Sequence, residues 1–136
     1  MLNHNIKRGL SAVYTKMTST ADAYDSSNTG TLAYLVSTPA MILMLIDSST
    51  DMLDQLLPPD YITVGKKLNI IHEIPSIIGD TITLKLHVEE VKLYSIILNA
   101  TFYDTKGIVC IAKYERAIIE KSKLLEFAHR RLPELI

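Results

Sequence analysis

Only one cysteine, Cys110, occurs among the 136 residues. It permits no internal disulfide and fits a reducing compartment, so a cytoplasmic protein is expected. Neither sign of charge is in excess: 14 Lys and Arg stand against 15 Asp and Glu, for a formal net charge of −1. That balance argues against broad electrostatic binding to nucleic acid, which calls for a basic face. No apolar run nears the roughly 20 residues needed to cross a bilayer. Residues 1–17 lack the continuous apolar core of a signal peptide. No Cys/His spacing points to a metal, no cofactor is implied, and there is no internal repeat, linker or low-complexity segment. What remains is ordinary: 48% hydrophobic and 21% charged residues, a composition that excludes disorder. The length fits a single domain spanning 1–136, with residues 1–7 expected to be flexible.

The strongest local signal is a helix start. Ser37-Thr38-Pro39 opens Ala40-Met41-Ile42-Leu43-Met44-Leu45-Ile46, and the first carboxylate after it is Asp47. Thr38 is placed to cap the helix through its hydroxyl, and Pro39 suits the first helical position, where its missing N–H costs nothing. Seven consecutive apolar residues cover every face of two turns. A helix apolar all round must be surrounded, and this run is too short for lipid, so protein is expected to wrap it.

The period changes at Pro58-Pro59. Before it the helical pattern runs over about 38–57, continued by Met52, Leu53, Leu56 and Leu57. After it the chain reads as strand. Residues 61–74 are β-branched and apolar, ending at Pro75, and Gly79-Asp80 makes a turn. Residues 81–91 alternate, with Ile82, Leu84, Leu86 and Val88 on one face and Thr83, Lys85, His87 and Glu89 on the other. This marks an antiparallel strand with one buried face. Residues 95–103 repeat the pattern with Ile96, Leu98, Ala100 and Phe102. Asp104-Thr105-Lys106-Gly107 forms a hairpin loop, and 108–119 supplies another long strand. Residues 9–17 fit a first strand, 18–31 a polar loop, and the tail over 121–134 an amphipathic helix with Leu124, Leu125, Phe127, Ala128 and Leu132 near one side.

The expected order is strand, long buried helix, then four long strands in a meander. An α+β domain with a five-stranded antiparallel sheet buries such a helix by curling around it, which is the hotdog fold. Its open sheet edges call for pairing or cover, so a homodimer with a continuous sheet is expected, with higher oligomers left open.

Ser37-Thr38-Pro39-Ala40-Met41, Thr63-Val64-Gly65, Asn69-Ile70-Ile71-His72, Pro75, Gly79-Asp80 and Tyr114-Glu115-Arg116 together resemble the fluoroacetyl-CoA thioesterase-like branch of the hotdog thioesterases, over about residues 30–128. The resemblance implies an acyl-CoA substrate, Thr38 as catalytic threonine and His72 as catalytic histidine. It also implies substrate contacts from Gly65, near the acyl group, and from Arg116. It places a carboxylate eight residues after the threonine, where this chain has Ile46, with Asp47 one residue later. One residue turns a helical side chain by about 100°. Asp47 therefore substitutes only if the helix is locally over- or underwound, or if the site uses another geometry. The resemblance further expects Thr-His before Glu-Arg on the last strand, and this chain has Lys113-Tyr114.

These residue types suit thioester hydrolysis, which needs a nucleophile (threonine or an activated water), a base, and donors for the developing oxyanion. His72 is the natural base, a carboxylate would orient it, and the positive helix end beside Thr38 suits the oxyanion. Each residue also has a plainer role. Thr38 serves as a cap, His72 as a core or interface histidine, Gly65 as a bulge, Glu115-Arg116 as a surface ion pair and Asp47 as the polar end of the helix. His4, His87 and His129 read as solvated, and Cys110 as a small buried hydrophobe. An acyl-CoA thioesterase with its Thr/His site at a dimer interface is the preferred reading. A non-catalytic hotdog module that binds acyl-CoA is the alternative, and a purely structural dimer comes third.

Overall fold

The computed structural model describes residues 2–24 and 30–133. Five strands form one antiparallel sheet: β1 (Ser11–Met17), β2 (Tyr61–His72), β3 (Thr81–Val91), β4 (Ser95–Asp104) and β5 (Gly107–Glu120). The long helix α1 (Thr38–Asp54) separates β1 from β2, and α2 (Lys121–Arg130) follows β5. The alternation in β3 and β4 decides the inner face. Ile82, Leu84, Leu86 and Val88 of β3 and Ile96, Leu98, Ala100 and Phe102 of β4 are all buried. Met41, Leu45, Met52 and Leu53 of α1 join them in one core. Each fully buried leucine of this layer contributes about 1.5–3 kcal/mol.

The strand order is β1-β3-β4-β5-β2, which corrects the expected meander of four strands. Only β3, β4 and β5 follow one another. Tight hairpins fix those neighbours, and β1 takes the other side of β3 from Ser11↔His87 to Met17↔Thr81. β2 instead pairs with β5, from Tyr61↔Glu120 to His72↔Cys110, and becomes an edge strand.

The helix is wrapped on one side only within the chain. Leu43 and Ile46 remain 55% and 38% exposed, so the expectation of protein on every face is not met by this chain alone. The stretch expected to be a polar loop holds two 3₁₀ turns, Thr20–Asp22 and Gly30–Tyr34, and its residues 25–29 lie outside the described residues. Ile6, within the stretch 1–7, is buried, and Asn5 donates its N–H to the Leu56 carbonyl. The C-terminal helix ends at Arg130 with no buried side chain, and the end of the expected segment, residue 134, lies outside the described residues. Among the described residues no helix is long and apolar enough to cross a membrane.

Candidate active site

Ser37, not Thr38, caps α1. Its backbone is extended, its Oγ accepts from the Ala40 N–H at 3.1 Å, and its carbonyl accepts from Met41. Two adjacent hydroxyl residues compete for this role, and the one still outside the helix takes it. Thr38 is then the first helical residue, and its hydroxyl is free for something else. It meets the Nδ1 atom of His72, the last residue of β2, at 2.8 Å.

His72 is half-buried, and its Nε2 is buried with no hydrogen-bond partner among the described residues. Burial penalises the imidazolium and lowers the pKa below the ordinary 6.5, with the Ile74 backbone opposing in part. The ring is therefore neutral at pH 7. The tautomer decides which partner of this bond donates; in the one with the ring proton on Nε2, the Thr38 hydroxyl donates to Nδ1. Such a ring can take the threonine proton. Thr38 and His72 open onto a cavity of about 320 Å³ whose walls include Leu32, Leu35, Val36 and Ile74. Cys110, across the ladder from His72, is buried, and burial pushes its thiol up to about 11, so it is no competing nucleophile.

The remaining expected site residues are not brought to this pair within the chain. Asp47 is exposed and makes no hydrogen bond to His72 among the described residues. α1 is uninterrupted α-helix from Thr38 to Asp54, so no over- or underwinding turns Asp47 into the place of Ile46. Gly65 lies opposite Arg116, at a bulge between Gly65 and Lys67. Seven residues of extended strand separate it from His72, roughly 23 Å at 3.3 Å per residue.

Arg116 corrects the reading of a surface ion pair, because it is only 2% exposed. Its Nε donates to Thr63 Oγ1 at 2.7 Å, Nη1 to the Tyr114 hydroxyl at 3.1 Å, and Nη2 to Thr50 Oγ1 at 2.9 Å and the Thr63 carbonyl at 2.7 Å. Among the described residues no carboxylate touches it directly. Asp54 reaches it through Thr63, whose hydroxyl and N–H both donate to Asp54 Oδ1. This network ties the C-terminal half of α1 to β2 and β5. Glu115 points the other way, to Lys66 and Lys92 at 3.6 and 3.9 Å. Gly65 is needed for packing here: a Cβ on it would lie 2.5 Å from the Tyr114 hydroxyl.

Sequence reasoning missed a part-buried hydrogen bond just beyond His72. Ser76 and Asp104, hydrogen-bonded at 2.8 Å, are 28 positions apart and carry no local pattern. Ser37 was legible in principle, since an N-cap serine two residues before proline is a common helix start.

The chain has relatives among known proteins. A family model described as fluoroacetyl-CoA-specific thioesterase matches residues 15–122. No curated protein matches the chain in sequence. Among solved structures the chain is similar to a hot-dog-like protein from Thermanaerovibrio acidaminovorans, with 22% identity, a TM-score of 0.87 and 94% of each chain covered. It is similar to the fluoroacetyl-CoA thioesterase FlK, with 14% identity, a TM-score of 0.86, and 95% of this chain and 99% of that chain covered. A mutant of FlK in complex with acetyl-CoA matches at 14% identity and a TM-score of 0.85, covering 94% of this chain and 100% of that one. At such identities these structures establish the fold, which is the hotdog fold expected from the sequence.

Proposed function

The chain belongs to the fluoroacetyl-CoA-specific thioesterase family, and from that membership we propose that it hydrolyses a small acyl-CoA thioester with Thr38 and His72 as its catalytic pair. The observation that carries this reading is the 2.8 Å bond between Thr38 Oγ1 and His72 Nδ1 at a cavity with apolar walls. The binding of acetyl-CoA by a FlK mutant supports the ligand class. The threonine oxygen attacks the thioester carbonyl as Nδ1 takes its proton. Collapse of the tetrahedral intermediate expels the CoA sulfur, which receives that proton. Water, deprotonated by the same nitrogen, then attacks the acyl-threonine, and the proton returns to Oγ1 as the acid leaves.

The working unit is a homodimer in the cytoplasm. β2 is an edge strand, and α1 exposes Leu43 and Ile46; the edge and the apolar surface both call for cover. Antiparallel pairing of β2 with its own copy turns the Gly65 end of one strand toward the His72 end of the other. Gly65, braced by Tyr114 and Arg116, then faces the acyl group from the second copy. Asp47 acts as the carboxylate only from that second copy.

The test is hydrolysis of a panel of short, branched, aromatic and long acyl-CoAs by wild type and His72→Ala. Cleavage lost in His72→Ala is expected, and no cleavage of any acyl-CoA by wild type would sink the reading. Two observations favour a second reading, a non-catalytic acyl-CoA-binding module: Ile46 stands at the implied carboxylate position, and His72 Nε2 has no hydrogen-bond partner among the described residues. Calorimetric binding without product, together with hydrolysis gained in Ile46→Glu, would select it.

A further inference from the structure

Thr38 and His72 lie 34 positions apart, yet the chain entering Thr38 is stitched to the chain leaving His72. Val36, two residues before Thr38, donates its N–H to the Ser76 carbonyl at 2.9 Å, and Ile78 donates to the Tyr34 carbonyl at 2.9 Å. Leu35 and Ile77 form the bridge between them. Ser76, four residues after His72, is only 2% exposed, and its Oγ donates to Asp104 Oδ2 at 2.8 Å. The other oxygen of Asp104, the last residue of β4, accepts from the N–H groups of Lys106 and Gly107 at 2.8 and 3.2 Å. The carboxylate is thus fixed within the β4–β5 turn. Ser76 is bonded on two sides, by its carbonyl to the approach to Thr38 and by its hydroxyl to the main sheet. It does not line the cavity, and β3, β4 and β5 pair along their lengths without it.

We propose that Ser76, anchored by Asp104, is a positioning residue that holds Thr38 Oγ1 and His72 Nδ1 at reacting distance. The inference rests on the thioesterase reading above. Its physical basis is the steepness of reactivity with geometry: a misplacement of about 1 Å lowers a rate by about a hundredfold. His72 is held independently of Ser76, by its place opposite Cys110 in the β2–β5 ladder and by the Glu73 and Ile74 N–H groups on the Val109 carbonyl. Without the Ser76 hydroxyl, the Ser76 carbonyl that accepts from Val36 is no longer fixed to the β4–β5 turn, and the approach to Thr38 shifts against a stationary His72.

The test uses the full chain, Ser76→Ala and Ser76→Thr. Steady-state kinetics on an acyl-CoA that wild type cleaves are combined with thermal unfolding and the ¹⁵N shift of His72 Nδ1. Ser76→Ala is expected to lower kcat by about ten- to a hundredfold while KM stays within about threefold. It should also move the Nδ1 resonance. Ser76→Thr keeps the hydroxyl and should return most of kcat. Wild-type kcat in Ser76→Ala, whatever its melting temperature, overturns the proposal, as does a Ser76→Thr no faster than Ser76→Ala. If Ser76→Ala does not fold, Ser76→Cys, which keeps a side chain of similar size but replaces the hydroxyl by a weakly donating thiol, carries the expectation of lower kcat at constant KM, and unchanged kcat in it overturns the proposal. If wild type cleaves nothing, the thioesterase reading fails. A moved Nδ1 resonance in Ser76→Ala then still upholds the stitch, and an unmoved one removes it too.

Discussion

Adding a single methyl group at Gly65 tests how tightly the end of β2 is packed. A Cβ there would lie 2.5 Å from the Tyr114 hydroxyl and 3.4 Å from two of its ring carbons. Tyr114 is buried and its hydroxyl accepts from Arg116 Nη1, so the ring has little room to retreat. Overpacking of a filled site costs about 1–3 kcal/mol. If the hydroxyl is pushed off Arg116, a bond to a charged donor is lost as well, about 1.5–3 kcal/mol. Against these stands the entropy gained by replacing a strand glycine with alanine, about 0.5–1 kcal/mol. The net expectation for Gly65→Ala is a loss of roughly 2–4 kcal/mol.

Urea unfolding at fixed protein concentration measures this, because a change in midpoint at constant slope is a change in stability. The decisive comparison is a double-mutant cycle with Tyr114→Phe. Phenylalanine removes the oxygen that the methyl group strikes and leaves the two carbon contacts at ordinary distance. In that background Gly65→Ala should cost less than about 0.5 kcal/mol, so the two changes couple by about 2 kcal/mol or more. Equal cost in both backgrounds, or no cost in wild type, would refute the packing argument.

The pKa of His72 is lowered, so its base form persists to a lower pH than an ordinary histidine would allow; kcat/KM should rise with pH through a midpoint below 6.5 and be flat above pH 7. The same shift links to stability: the unfolded chain binds a proton below 6.5 before the folded one does, so stability is full above that value and falls as pH drops toward the folded pKa, a slope that unfolding of His72→Gln between pH 5 and 7 should lack. Ser37→Ala removes the α1 cap and should cost about 1 kcal/mol, read as a lower melting temperature. It should also lower kcat, since the first turn that carries Thr38 frays.

Periodic features of the molecule were legible in the sequence, and non-local ones were not. β3 and β4 follow from alternation within a single segment, and the Asp104–Gly107 turn from its residue types, because both are decided locally. The partner of β2 was not legible, since its apolar, β-branched residues suit either β3 or β5 and the choice depends on which edge β1 has already taken. The role of Arg116 was legible but misread. Adjacent residues in a strand point to opposite faces, so Glu115 and Arg116 cannot both lie on the surface. With Tyr114 buried, Arg116 had to face inward with it. Thr38 and Ser37 are chemically equivalent as caps, and only the backbone of Ser37 assigns the cap to one and frees the other for His72.

Three needs of the isolated chain are unmet. His72 Nε2 lacks an acceptor, β2 ends at that residue as a sheet edge, and the exposed part of α1 carries Leu43, Ile46 and Asp47. A water molecule would satisfy Nε2 and leave the apolar surface and the strand edge as they are. An acyl-CoA would fill the cavity and leave the edge unpaired. The proposed second copy meets the last two, with backbone for the edge and apolar side chains for α1, while Nε2, buried within its own chain, meets an acidic residue of that copy only if the His72 ring turns. Completion of the site and closure of the sheet are therefore one event in the proposed mechanism. The replacement of a carboxylate by Ile46 then has a physical reading under the proposed dimer: Ile46, exposed in the single chain, serves the interface, and the proposed charge for His72 is the second copy's Asp47.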